Sequence, residues 1–531
     1  MRLIPRIRTR LLASENGFSM IAVMGVMAAS SLFVAAAFAA ANGDLPLTRD
    51  SQDRKQAYAA AEAGINYYQF HLNQDPDYWT RCVNVPAPNG TENQPVNQAW
   101  DGVTPLDDPR RWRNVAGTPT QYTIELVPAP GQSQCVEGDQ TTMIDPASAS
   151  FKVRATGRPR AGSKLRRSLV ASFRRRSFLD FLYFTDYETT DPINYATGSQ
   201  SWAQTNCGDK RRAQRHSSCL EIQFADFDDI NGPFHTNDDI LTCGTPVFGR
   251  AGKADSIEFS GPSPGYEKLG GCPAGSPTFH TPPRSGVAPL TMPPTNTTLR
   301  TVATSNGLVY EGKTTIRFNS GGDMTVINPY VNGGAAQTRS LPANGVIYVA
   351  NRSGGCGSQP PPVTATYNEP NSCGNLYVSG TYTKSMTLAT ANDVIIKPYG
   401  SSSTNGDLIG AGNSVLGLVA QNFVRVYHRV DDDCDDVSPV MKKVRIDAAI
   451  LSLMHSFTVD NYRCGSQQEL LTVNGAIAQK YRGPVGTTGG TGFEKDYNYD
   501  DRLRYRSPPY FLEPIAATWH VIRSHEQLPP R

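Results

Sequence analysis

Residues 18–41 of this 531-residue chain, from Phe18 to Ala41, carry no ionisable side chain. At about 1.5 Å rise per residue, a helix of that length reaches across a bilayer core of roughly 30 Å. Arg2, Arg6, Arg8 and Arg10 precede the run, and the next basic residue is Arg49. By the positive-inside rule this predicts a single-pass membrane segment with a cytoplasmic N-terminus and the bulk of the chain extracytoplasmic, at the cell surface or in a filament. Asn42-Gly43-Asp44-Leu45-Pro46 then predicts a break, because proline removes a backbone donor and glycine weakens a helix. Beyond it Ala57, Ala61, Gly64, Ile65, Tyr68 and Leu72 recur at helical spacing. An amphipathic helix is therefore predicted from about Asp50 to Leu72, ending before Pro76.

The boundary of the apolar run has its own character. A basic leader, a polar Ser14-Glu15-Asn16, and then Gly17-Phe18 directly before the run resemble the prepilin peptidase site of type IV pilins and type II secretion pseudopilins. Residues 49–64 are similar to the continuation seen in minor pilins of the PilX type. The resemblance implies processing after Gly17 that leaves Phe18 as the mature N-terminus. It also implies other pilin-like subunits, a membrane assembly machinery and a prepilin peptidase as partners. Major pilins usually carry a glutamate five residues into the mature chain, where Ala22 stands here, which points to a minor or tip subunit. Two alternatives compete. Ala39-Ala40-Ala41 satisfies the small-residue rule of a secretory signal, although the apolar run exceeds the usual 7 to 15 residues; a plain membrane anchor explains the length but not the Gly-Phe junction.

Three strands follow the predicted helices. Residues 121–126, 150–155 and 168–173 alternate polar and apolar, the last two around a Gly/Pro turn at 157–162, which predicts an antiparallel meander. The turn and its returning strand also look like the head of PilX-type proteins. Eight basic residues crowd this region, Arg158, Arg160, Lys164, Arg166, Arg167, Arg174, Arg175 and Arg176. They could grip an anion, or simply face water from alternate strand positions. With a net charge of only +2 and no aromatic residues interleaved for base stacking, nucleic acid is not expected as a partner.

The ten cysteines all follow the apolar run and fall as near neighbours. An exported chain keeps disulfides, and local pairing would join Cys207 with Cys219, Cys243 with Cys272, Cys356 with Cys373, and Cys434 with Cys464, leaving Cys82 and Cys135. Sequence does not fix connectivity. The absence of any C-x-x-C pair argues against zinc.

From residue 177 the chain turns aromatic and acidic. Gly232-Pro233-Phe234-His235-Thr236-Asn237-Asp238-Asp239 resembles a pattern found in large extracellular domains of PilX-like proteins. His235, Asp238 and Asp239, with Asp186 and Glu188 nearby in sequence, have the chemistry of a metal or hydrolytic site. The plainer reading is that Asn and Asp satisfy turn backbone and His235 bonds one of them. Asp431 and Asp433, in the acidic run 431–436, invite calcium but lack EF-hand spacing. No cofactor is required, and calcium is the candidate if one is held.

Past residue 295 short apolar runs return every 10 to 20 residues between Gly/Asn turns, the pattern of stacked rungs. The expected fold is an α+β pilin-like unit, a long N-terminal helix on a small antiparallel sheet, followed by a mainly β domain. A right-handed parallel β-helix is the first expectation for that domain and a β-sandwich the alternative. The expected divisions are a leader 1–17, a span 18–41, a helix-and-sheet unit 42–176, an irregular cysteine-containing β region 177–295, and a solenoid with a C-terminal cap 296–531. The function expected is structural, a minor pilin-like subunit displaying a β-rich head for assembly initiation or for adhesion to a surface or glycan, without catalysis. The competing class is an extracellular polysaccharide lyase or hydrolase drawing its acids from Asp186, Glu188, Asp238 or Asp239.

Overall fold

A computed structural model describes residues 20–75, 78–80, 107–108, 111–133, 135–136, 142–145, 150–400, 403–504, 506–515 and 519–530. Gly17, Phe18 and Cys82 lie outside them. Helix α1 spans Met20–Gln74 without interruption. The break expected at residues 42–46 is absent, the helix continuing through Pro46 without the bond that its missing N–H would make. Among the described residues no helix is long and apolar enough to cross a membrane. That corrects the single-pass anchor expected from the sequence: freedom from charge sets an upper bound on a span, whereas crossing requires hydropathy sustained over the bilayer's width.

The end of α1 packs on an antiparallel sheet of β1 (Arg113–Asn114), β2 (Gln121–Val127), β3 (Ser150–Arg158) and β4 (Arg167–Arg175). Its fifth strand is Trp519–Gln527, from the far end of the chain, antiparallel to β4. Ala61, Ile65, Tyr68 and Leu72 of the helix meet Tyr122, Ile124, Phe151, Val153, Phe173 and Trp519 in one core. Each fully buried side chain of this size contributes about 1.5–3 kcal/mol.

The remaining chain forms a 23-stranded sheet system and a three-stranded sheet. Its strands stack mostly in parallel, and one apolar column runs through Leu308, Ile347, Leu388, Leu418, Ile450 and Ile477, then Tyr183, Phe234 and Ile257. The order is not the order of the sequence. Strand β5 (Tyr183–Thr190) lies between Phe234–Thr236 and Gln467–Arg482. The chain thus enters the middle of the stack, runs to one end, and returns from the other through Leu308–Glu311.

The expected class, an α+β pilin-like unit followed by a separate β-helix or β-sandwich, is therefore corrected. The described chain is mainly β, with three α-helices among large sheets, and its last strand closes the first sheet, so no helix-and-sheet unit is complete before the β region begins. Hydrogen bonds bind the two, buried Arg174 of β4 donating to the carbonyls of Leu503 and Arg504; within the β region Arg250 pairs with both Asp255 and Asp501. Disulfides join Cys207 to Cys219, Cys243 to Cys272, Cys356 to Cys373 and Cys434 to Cys464. Each closes a loop of up to 30 residues and contributes about 2–4 kcal/mol.

Candidate functional site

Helix α1 has two environments. Ala57, Ala60, Ala61, Ile65, Tyr68 and Leu72 are buried on the sheet. Gly157 of β3 admits this approach: a Cβ there would stand 2.0 Å from the Ala57 carbonyl oxygen and 2.5 Å from the Ala61 nitrogen. Among the described residues the N-terminal half has no such cover. Leu32, Phe33, Val34 and Phe38 are all about 70% exposed or more, and Met24, Val26 and Met27 also face outward. Ser30 and Ser31 turn their hydroxyls onto the carbonyls of Val26 and Met27. The surface left is apolar, and nothing lies within 4 Å of the Cβ position of Gly25. Ala22, where the family pattern has glutamate, is on this exposed half.

The arginines expected to face water or an anion are partnered within the protein. Arg158 lies 3.9 Å over the Trp112 ring and donates to Gln121. Arg160 pairs with Asp53, Arg166 with Asp107, Arg167 with Glu526, Arg176 with Glu258, and Arg175 lies over Trp519. These aromatic and acidic partners come from segments distant in sequence, so the local stretch did not announce them.

The residues around His235 are brought close, and all but Asp239 are engaged with partners in the protein. His235 is fully buried, its Nδ1 3.0 Å from Glu258 and its Nε2 3.1 Å from Asn237. Asp238 is salt-bridged to Arg215 and accepts from the Glu188 and Arg212 backbone. Asp186 pairs with Arg211. Glu188 faces Arg482, and burial raises its carboxyl above the usual range. Asp239 is likewise raised by burial. Asp431 accepts the backbone N–H groups of Asp433 and Asp435 in a loop held by Cys434. Among the described residues no group of three or more His, Cys, Asp or Glu side chains is placed to hold a metal.

Among the described residues, clefts open on the parallel stack, two of them large enough to take a ligand. The larger, about 660 Å³, reaches from Leu220 and Phe227 to Phe493. At its base Asp228 pairs with Lys495 and Arg482; burial pushes the Asp228 carboxyl up, but the two cations outweigh it and hold it low. The smaller, about 240 Å³, lies between the stack and the loop 356–373 closed by its disulfide. Its wall is made where three stacked strands begin, Val394–Ile396, Val424–Val426 and Phe457–Val459. Arg425 bridges Asp393 and Asp460, both at 2.9 Å. Burial pushes the Asp460 carboxyl up to about 6 against the pull of Arg425. Asp191 accepts from His455 Nδ1 at 2.8 Å. Burial lowers that imidazole's affinity for a proton, but Asp191 outweighs it and the net direction is upward.

Sequence reasoning passed over this smaller cleft, although a signal existed. Asn392, Asn422 and His455 each stand two residues before an apolar strand, in Asn392-Asp393-Val394, Asn422-Phe423-Val424 and His455-Ser456-Phe457. Aligning strand starts would have stacked the three on one edge.

No family model matches the chain, and no curated protein matches it. A solved structure that does match is the competence-associated pilin ComZ from Thermus thermophilus, 11% identical, with a TM-score of 0.26, covering 90% of this chain and 97% of that one. The likeness is to a pilin in the general sense.

Proposed function

We propose that this protein is a minor pilin-like subunit, which docks the N-terminal half of α1 among the helices of other subunits and displays its β-rich head. One observation carries the reading: the same helix is buried on a sheet at one end and bare at the other, with large apolar side chains on the bare end. Contiguous apolar surface of this kind marks a surface covered by a partner. Small residues among the large ones, Gly25, Ala28 and Ala29, let a second helix approach closely and gain packing energy. The Gly17-Phe18 junction and Ala22 support the same reading by resemblance, with a prepilin peptidase generating the mature end. A photo-activated crosslinker at Phe33 tests it: adducts with another long-helix subunit are expected there and none from exposed Arg300 of the head.

A further inference from the structure

The smaller cleft carries an inference that deepens this reading by naming what the head holds, although its observations are independent of α1. Every charged group in the wall is already matched: Asp393 and Asp460 by Arg425, Glu369 by Lys313 at 3.0 Å, and Asp191 by His455. An ionic ligand would find no unmatched counter-charge. What remains open is uncharged. The Asn422 side chain makes no hydrogen bond among the described residues, and Asn375 uses its amide oxygen on the Asp393 N–H while its nitrogen has no acceptor. His455 commits Nδ1 to Asp191, and its Nε2 has no partner among the described residues. Beside these groups the half-buried His455 ring stacks on buried Phe423 at 4.4 Å, the two planes almost parallel, and Pro360 and Pro361 add further apolar surface to the lining.

We propose that this cleft binds a neutral glycan, taking one or two sugar rings of a longer chain. Alternating donors and acceptors beside flat apolar surface match a sugar, whose hydroxyls both give and take hydrogen bonds while its ring faces are apolar. The size agrees, since about 240 Å³ falls below the roughly 300 Å³ at which pockets for whole drug-sized ligands begin. Both walls are held in place before any ligand arrives, one by strand pairing and the other by the Cys356 to Cys373 bond, which lowers the ordering cost of binding.

The test uses the full chain, kept dispersed in a detergent without a sugar headgroup, and saturation-transfer NMR with maltotriose, cellotriose, tri-N-acetylchitotriose and trigalacturonate. At least one neutral trisaccharide is expected to receive saturation, and Asn422→Ala to weaken that binding about tenfold, the loss of one or two hydrogen bonds. Asn422 makes no other side-chain hydrogen bond among the described residues, so the variant should fold; Asn422→Gln, which overfills the wall, gives the second reading and is expected to weaken binding as well. Silence from all three neutral sugars, binding undiminished in both variants, or binding of trigalacturonate alone would each overturn the proposal. Failure here leaves crosslinking at Phe33 untouched, and loss of that crosslinking leaves sugar binding untouched, so the two readings fail separately.

Discussion

Replacing Arg425 by methionine is expected to cost the fold about 3–5 kcal/mol, the usual loss when one partner of a buried ion pair is removed and the other stays behind. Asp460 is fully buried and Asp393 nearly so, and Arg425 is the cation that faces both. Tyr367 also donates to Asp460, at 2.6 Å, but one hydroxyl does not neutralise two carboxylates. The loss should depend on pH in a defined direction. Asp460 binds its proton more tightly when folded, about 6 against 3.8 unfolded. Its contribution is therefore fully present below 3.8 and disappears as pH rises through about 6. Without Arg425 the folded value rises further, so urea midpoints of Arg425→Met and the parent should lie closer at pH 5 than at pH 8. A loss below about 1 kcal/mol at pH 8 would mean that the cluster is more hydrated than the structure has it.

Gly157→Val is expected to free α1 from the sheet. The obstruction is backbone: the added Cβ would lie inside contact distance of the Ala57 carbonyl and the Ala61 nitrogen, and neither can rotate away. Overpacking costs about 1–3 kcal/mol where side chains can adjust, and this position should exceed that range. Gly64→Ala is the comparison, because its nearest neighbour is the Tyr122 ring at 3.0 Å, a side chain that can turn. Hydrogen exchange should show residues 57–68 losing protection in Gly157→Val and keeping most of it in Gly64→Ala. Equal protection in both would remove the close helix-to-sheet approach from the account.

These two variants also mark what the sequence could and could not disclose. Period-two alternation located β2, β3 and β4 because each strand's code is local, and near-neighbour cysteines located four disulfides for the same reason. The fifth strand, Trp519–Gln527, pairs with β4 across more than 300 residues, and no local pattern specifies such a partner. The stack shows the same limit. Apolar runs marked short strands, but parallel strands look alike, so their order, with Tyr183 between Phe234 and Ile477, depends on which aromatic and aliphatic faces fit. Charges were the least legible. Arg158 to Arg176 read as a basic surface until folding supplied Trp112, Trp519, Asp53 and Glu526, and the His235 neighbourhood read as scattered acids until Glu258 and Arg215 were brought to it. The smaller cleft was hidden because its wall is built one residue per rung. Freedom from charge between Phe18 and Ala41 was legible at once, yet it did not decide what covers the helix.

That question is settled by a photo-crosslinker placed at Phe33 of the full chain in its native cells. Phe33 is 78% exposed and sits midway along the bare half of α1. If this half is the docking surface, irradiation yields adducts whose crosslinked peptide maps to the apolar helix of another pilin-like subunit, and Leu32→Glu in the same chain abolishes them by placing a charge in the packed seam. Adducts only with the chain's own head, or with proteins lacking such a helix, or adducts indifferent to Leu32→Glu, would contradict the account.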